Sequence, residues 1–329
     1  MSNVFFSRDR TRAFLSRHFL WLVTVLALLV YAFTYLSNCF GPPIRSDGEG
    51  YYAYLPALLI YGDPSFERLA EERYEGAIPR YTYIRRYQPT GKYLASYTMG
   101  VAILLLPFFL VAHVLTFLFQ SPPGGFDWWQ LNYAMNGYTL FYQHMIGMAG
   151  IVYLVWGLAF LRKVLARYFP EAVVWATLLI ILFGTNLFHY GSGESVTSHV
   201  YSFMLISLLL YLIPIWYESR CPVGLSVGLA LVMGLLVLVR LLNVLLVVPL
   251  AGLCGVGSLR DFSGRIRFLV SQWKRLALML LVVGVVFLPQ LMAWGYATGH
   301  FFVYPYPDQQ GFFDFIHPQI AAVLFSIKR

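Results

Sequence analysis

The chain reads as an all-α, polytopic integral membrane protein with about 7–8 transmembrane segments and one large polar loop after the first. Three observations predict this. Only 12% of the residues are charged while 59% are hydrophobic, and the mean hydropathy is +0.66, well outside the balance of a soluble domain. Apolar runs long enough to cross the hydrocarbon recur along the chain; a helical crossing takes about 20 residues. Lipid offers no partner for backbone N–H and C=O groups, so spans in such a chain are helices.

The run at 18–40, "HFLWLVTVLALLVYAFTYLSNCF", carries no charge with His18 neutral. It is too long for a signal-peptide core, and "LSNCFGPP" has no small-x-small cleavage site, so it reads as an uncleaved anchor. Arg8, Arg10, Arg12 and Arg17 precede it, which predicts a cytoplasmic N-terminus. Residues 41–95 then form an extracytoplasmic loop. Within it "DPSFERLAEERYEG" reads as a short helix, with Pro64 at its start and Gly76 just past its end. A second apolar run covers 97–119. "SPPGGFDWWQLNY" follows, and Trp128, Trp129 and Tyr133 suggest a membrane interface.

The next run, 138–161, ends in "LRKVLAR". Runs at 172–189 and 199–216 flank the polar gap "HYGSGESVTSH". After the turn "YESRCP", runs at 223–239 and 241–257 flank Arg240. "SLRDFSGRIRFLVSQWKR" is strongly basic, 276–296 is the last clear span, and 297–329 is a tail. The whole is one membrane domain, 1–329, with a helical bundle at 97–296. If 97–119 crosses fully, "RKVLAR" falls outside, against the positive-inside bias. If 97–119 is re-entrant or interfacial, every basic cluster falls inside, and Asp47, Glu194, Arg240 and the tail share the outer side. The second scheme is the expectation, in an integral membrane of bacterial inner or plasma type.

The net charge of +8 follows from Lys and Arg at span ends, so no nucleic-acid partner is expected. Cys39, Cys221 and Cys254 match no metal or redox spacing.

The candidate chemistry lies at the span ends. In "IRSDGEGYYAYLPALLIYGD", Asp47 and Glu49 stand between Gly48 and Gly50, whose backbones permit tight turns, with Tyr51, Tyr52 and Tyr54 as an aromatic wall. A carboxylate at a partly dehydrated surface has a raised pKa and can act as a general base; a solvated loop with two incidental acids is the other reading. Arg85, Arg86 and Lys92 fit an anionic lipid phosphate, or a surface cluster paired with Glu67, Glu71, Glu72 and Glu75. Glu194 and His199 flank Ser195, Thr197 and Ser198, where a wet helix turn with a hydroxyl cap competes with a functional site. His189, Glu194 and His199 do not lie on one helix face, so no metal is expected. Arg240 reads as an anion contact or as a snorkelling residue. Asp314 and His317 in the tail are placed to face the same outer cavity.

In this order, these pieces resemble the GT-C superfamily of membrane glycosyltransferases, in the branch that uses polyprenyl-phosphate sugars and includes protein mannosyltransferases and aminoarabinose transferases. The match is an N-terminal span, then an outer loop opening with an acidic motif, here Asp47-Gly48-Glu49 followed by Tyr51-Tyr52-Ala53-Tyr54. The family's Lys-Pro element is echoed by "QPTGKYL", with Lys92 present and Pro89 earlier. "TNLFHYGSGESVTSH" has the shape of the family's second outer motif, with Ser198 or His199 near the usual acid and Glu194 as its stand-in. A basic residue like Arg240 recurs after the following span.

The resemblance implies an inverting transfer of a sugar from a polyprenyl-phosphate donor to an unknown glycan, lipid or protein acceptor on the extracytoplasmic face. Asp47 would be the base, Glu49 its partner or substitute, and Lys92, Arg85, Arg86 or Arg240 the cation on the departing phosphate. No cofactor or divalent metal is expected. Family chains continue with further spans where this one reads "LFSIKR". The alternative is therefore a non-catalytic membrane subunit or lipid-handling protein.

Overall fold

The computed structural model describes residues 3–36, 41–120, 132–303 and 320, with the side chains of the first helix described from His18. The described chain is helical apart from one small hairpin. Its elements are α1 (Asn3–Leu36), α2 (Asp47–Tyr52), α3 (Tyr54–Leu59), α4 (Glu67–Tyr74), β1 (Ile84–Arg86), β2 (Tyr93–Ala95), α5 (Gly100–Phe119), α6 (Leu140–Leu165), α7 (Glu171–Phe183), α8 (Leu187–Ser192), α9 (Ser198–Glu218), α10 (Val223–Val239), α11 (Val244–Leu253), α12 (Leu259–Ser271) and α13 (Trp273–Thr298).

Among the described residues five helices are long and apolar enough to cross a membrane: α1 over His18–Tyr35, α5, α6, α9 and α13. This is a helical membrane protein, but fewer helices reach spanning length than the sequence suggests. The run at 172–189 is broken at Gly184, so α7 is only 13 residues long. The run at 241–257 begins with a 3-10 turn at Leu241–Asn243, and α11, with Pro249 inside, has 10 residues. Apolar composition cannot separate one full crossing from two short helices that meet at a bend.

α6 is the centre of the bundle. Its glycines let neighbours approach closely, as small residues do between membrane helices. A Cβ on Gly150 would collide with Ser195, one on Gly157 with the Phe203 ring, and one on Gly147 with Tyr31. α6 runs from the neighbourhood of Ile44, whose N–H donates to Gln143 Oε1, to a basic end. There the Arg162 guanidinium lies over Trp175, which packs on Phe19, and Lys163 and Arg167 face the Tyr211 ring.

α5 runs antiparallel along the first half of α6. Tyr153 donates to the Leu104 carbonyl, His113 bonds Tyr142, and Phe119 packs on Phe141. Its first turn meets the end of α10: Gly100 has no room for a Cβ against the backbone of Leu238 and Val239, and the Met99 N–H donates to Gln290 of α13.

The loop 41–95 is more ordered than the single helix the sequence indicates. It folds as α2, α3, α4 and an antiparallel hairpin pairing Ile84 with Ala95 and Arg86 with Tyr93. The short helix begins at Glu67 and ends where Gly76 takes φ +86° and donates to Ala70. The hairpin is tied to the end of α13: Thr90 donates to the Ala297 carbonyl and Lys92 to that of Tyr296.

Candidate functional site

α2 opens at Asp47, immediately after Ser46, a non-glycine residue held at φ +49°. Such a backbone costs about 1–3 kcal/mol and persists where its surroundings over-determine it. Gly48 and Gly50 do not form the turn expected of them. They are helical, and their role is close approach. A Cβ on Gly48 would sit 2.9 Å from Val196 Cβ, and one on Gly50 would collide with the Thr82 carbonyl and the Tyr97 ring. The two glycines therefore let α2 wedge between the 193–197 turn and the base of the hairpin.

This wedge turns the two acids to different neighbours. Asp47 faces a cavity of about 100 Å³ lined by Pro43, Arg45, Ser46, Gly48, Tyr190, Glu194, Val196, Thr197 and His199. Its carboxylate makes no hydrogen bond or ion pair among the described residues. Glu194, whose side chain is 42% exposed, lies 3.8 Å from the Arg45 guanidinium and 3.6 Å from His189 Nε2. His199 stacks on Tyr190 with ring centroids 4.0 Å apart. The charges facing His199 are Arg240, Asp47 and Glu194.

Glu49 is elsewhere. It is 2% exposed, and its Oε1 accepts from Arg73 Nη2 at 2.6 Å, Arg73 Nε at 3.2 Å and the Tyr74 hydroxyl at 2.6 Å. The Arg73 guanidinium sits 3.5 Å over the Tyr138 ring. Burial first, then the Glu49 charge and hydrogen bond, push the Tyr74 phenol up, with Arg73 opposing. Glu49 does not line the cavity that holds Asp47. Its arrangement is that of an anchor joining α2, α4 and the chain just before α6.

The expected cations are spread over three places. Arg240 caps α10 and lines a second cavity, of about 240 Å³, with Tyr51, Ser96, Tyr97, Thr98 and Leu242. Tyr51 and Tyr97 stack on each other there, and Arg240 does not line the Asp47 cavity, although its charge acts on His199. Arg85 and Arg86 line a third cavity, with Arg80, Gln88 and Tyr93. Lys92 lies over the Tyr296 ring at 3.5 Å. Arg85, Arg86 and Lys92 therefore do not meet Asp47. The hairpin turns Arg85 and Arg86 toward the 76–80 segment and carries Lys92 to the end of α13.

Arg45 is the cation that reaches the Asp47 cavity, and sequence reasoning passed over it. Its signal was its place two residues before the acid. Asp314, His317 and Cys39 lie outside the described residues. Among the described residues no group of three or more His, Cys, Asp or Glu side chains is placed to hold a metal ion.

Comparison with known proteins adds no relative: no family model, curated protein or solved structure matches the chain.

Proposed function

We propose that the protein is a membrane glycosyltransferase of GT-C type that transfers a sugar from a polyprenyl-phosphate donor to an acceptor hydroxyl on the extracytoplasmic face. Asp47 takes the proton from the hydroxyl as its oxygen attacks the anomeric carbon. The bond to the donor phosphate breaks with its electron pair on the phosphate oxygen, and the configuration inverts. His199 and Glu194 line the acceptor side, and Arg240 or Arg45 offsets the charge on the departing phosphate. One observation carries this reading: a carboxylate without a hydrogen bond or ion pair among the described residues, set after a strained residue, in a small cavity that Arg45 and His199 also line.

The test is transfer from labelled polyprenyl-phosphate sugars in membranes carrying the full chain or Asp47→Asn. Label should reach an acceptor fraction only with the unaltered chain. Equal transfer by both proteins would refute Asp47 as base.

A second reading is a lipid-handling protein without turnover. It draws support from an apolar cavity of about 620 Å³ between α1 and α7, lined by Phe19, Leu22, Leu26, Trp175, Leu179 and Phe183. Donor binding without transfer by either protein would favour it.

A further inference from the structure

α12, Leu259–Ser271, differs from every other helix of its length or longer, because none of its residues is buried. It is nevertheless docked in a definite orientation. Ser258 caps it by accepting from the Asp261 N–H. Arg265 lies 3.6 Å over the Tyr217 ring and donates to the Cys254 carbonyl at 2.8 Å, and Phe268 packs on the same ring. The Arg265 and Phe268 side therefore faces the end of α9.

Helical spacing divides the rest of the surface. Leu259, Phe262, Ile266 and Val270 recur every three or four residues and share one stripe. All four are exposed, Leu259 by 88% and Val270 by 66%, and Trp273, at the start of α13 beyond the turn at Gln272, is exposed as well. Arg260 and Arg267 fall on the adjoining side, about 80–100° from Leu259 at the helical 100° per residue. Lys274 and Arg275 follow directly, against Asp261 as the lone acid of the segment. A cluster of this kind in water would be an aggregation hazard. In a chain with five helices of spanning length, a bilayer surface is at hand to cover it.

We propose that α12 lies in the membrane interface and is a seat for anionic phospholipid headgroups, at the end of the bundle remote from Asp47. The Leu259–Phe262–Ile266–Val270 stripe would enter the acyl boundary, and Arg260 and Arg267 would meet the headgroup phosphates. The occupant is a lipid because the stripe abuts the start of α13, itself a helix of spanning length, and because the excess of Arg and Lys complements an anionic surface. This inference does not depend on the proposed transferase activity.

The experiment uses the full chain in nanodiscs of equal phosphatidylglycerol and phosphatidylcholine. A photoreactive benzoylphenylalanine replaces Phe262 or Ile266 in one set, and Arg260 or Arg267 in another. Adducts are read by mass spectrometry. Probes at 262 and 266 should give acyl-chain adducts, while probes at 260 and 267 should not. Adducted lipid should be enriched in phosphatidylglycerol, by roughly five-fold for each contributing cation. The enrichment should fall at least five-fold in an Arg260→Gln/Arg267→Gln chain probed at Ile266, leaving only what Lys274 and Arg275 supply. Water quenching at all four positions, adducts to a second protein copy, or acyl adducts without phosphatidylglycerol enrichment would each overturn the proposal.

Discussion

Removing Arg73 isolates the most deeply buried charge described in the 41–95 loop. Glu49 has its side chain 3% exposed and Arg73 27%. Arg73 donates twice to one Glu49 oxygen, Tyr74 donates to the same atom, and the guanidinium also covers Tyr138. Arg73→Met leaves the carboxylate buried beside one hydroxyl. Stranding a buried charge in this way costs about 3–5 kcal/mol. Glu49→Gln is a milder change, because the amide oxygen still accepts from Arg73 and Tyr74 and the guanidinium keeps some water. The difference between charged and neutral hydrogen bonds puts its cost at about 1 kcal/mol.

The double variant Glu49→Gln/Arg73→Met no longer strands a charge, so it should be more stable than Arg73→Met alone. The assay is unfolding by denaturing detergent in mixed micelles, followed by tryptophan fluorescence, for the four proteins of the cycle. Costs that simply add in the double variant, or an Arg73→Met no worse than Glu49→Gln, would refute the anchor. Because Asp47 leaves the same short helix toward the other cavity, Arg73→Met should also lower transfer by the proposed enzyme without abolishing it.

Asp47→Asn should leave unfolding within about 0.5 kcal/mol of the unaltered chain, as expected of a near-isosteric change at a half-buried side chain that makes no hydrogen bond, while removing transfer. Gly48→Ala should destabilise by about 1–3 kcal/mol through overpacking against Val196, and Gly50→Ala by more, since its obstacle is the Thr82 backbone; both are read by the same unfolding assay. Burial works to raise the Asp63 carboxyl, but hydrogen bonds from the Ser65 hydroxyl and from the N–H groups of Arg68, Ser65 and Glu67 outweigh it and hold the carboxyl below its ordinary value. Its stabilising contribution is therefore present above an unfolded pKa of about 3.9 and lost as pH falls through the lower folded value. An Asp63→Asn chain should show a smaller loss of stability on acidification below about pH 4, measured as the unfolding midpoint against pH.

Much of this architecture was readable because it follows from local chemistry. The capless apolar runs marked α6, α9, α10 and α13 within a few residues, and α10 was bounded as found because Pro222 and Arg240 frame it. The short helix before Gly76 was visible from its punctuation. The hairpin was not, since "IRR" and "YLA" are too short to alternate and their pairing depends on contacts with α13. The nearness of Asp47 to Glu194 and His199 was expected from charge placement alone. The parting of Glu49 from Asp47 was not, because adjacent acids look equivalent until the helix formed by Gly48 and Gly50 turns them apart. Arg73 carried no pattern of its own; among the glutamates of α4 it looked like one more solvated charge.

The path of α5 explains how one bundle reconciles its charges. Had 97–119 carried the chain to the Arg162 end, α6 would begin there and Arg162 would finish beside Asp47. The contacts run the other way. Leu104 is level with Tyr153, His113 with Tyr142 and Phe119 with Phe141, so α5 rises along the first half of α6 and ends where α6 starts. At 20 residues it is about 30 Å long at 1.5 Å per residue, with its first turn on the end of α10 and its last turn on the start of α6. α6 alone then descends to Arg162, where Phe19 and Trp175 meet it. Arg265 reaches the same end through Tyr217 at the foot of α9. Arg162, Lys163, Arg167 and Arg265 thus gather at one pole and Asp47, Glu194 and Glu49 at the other. Arg45, Arg73 and Arg240 share the pole of the acids, so that pole carries both signs of charge while the Arg162 pole is basic.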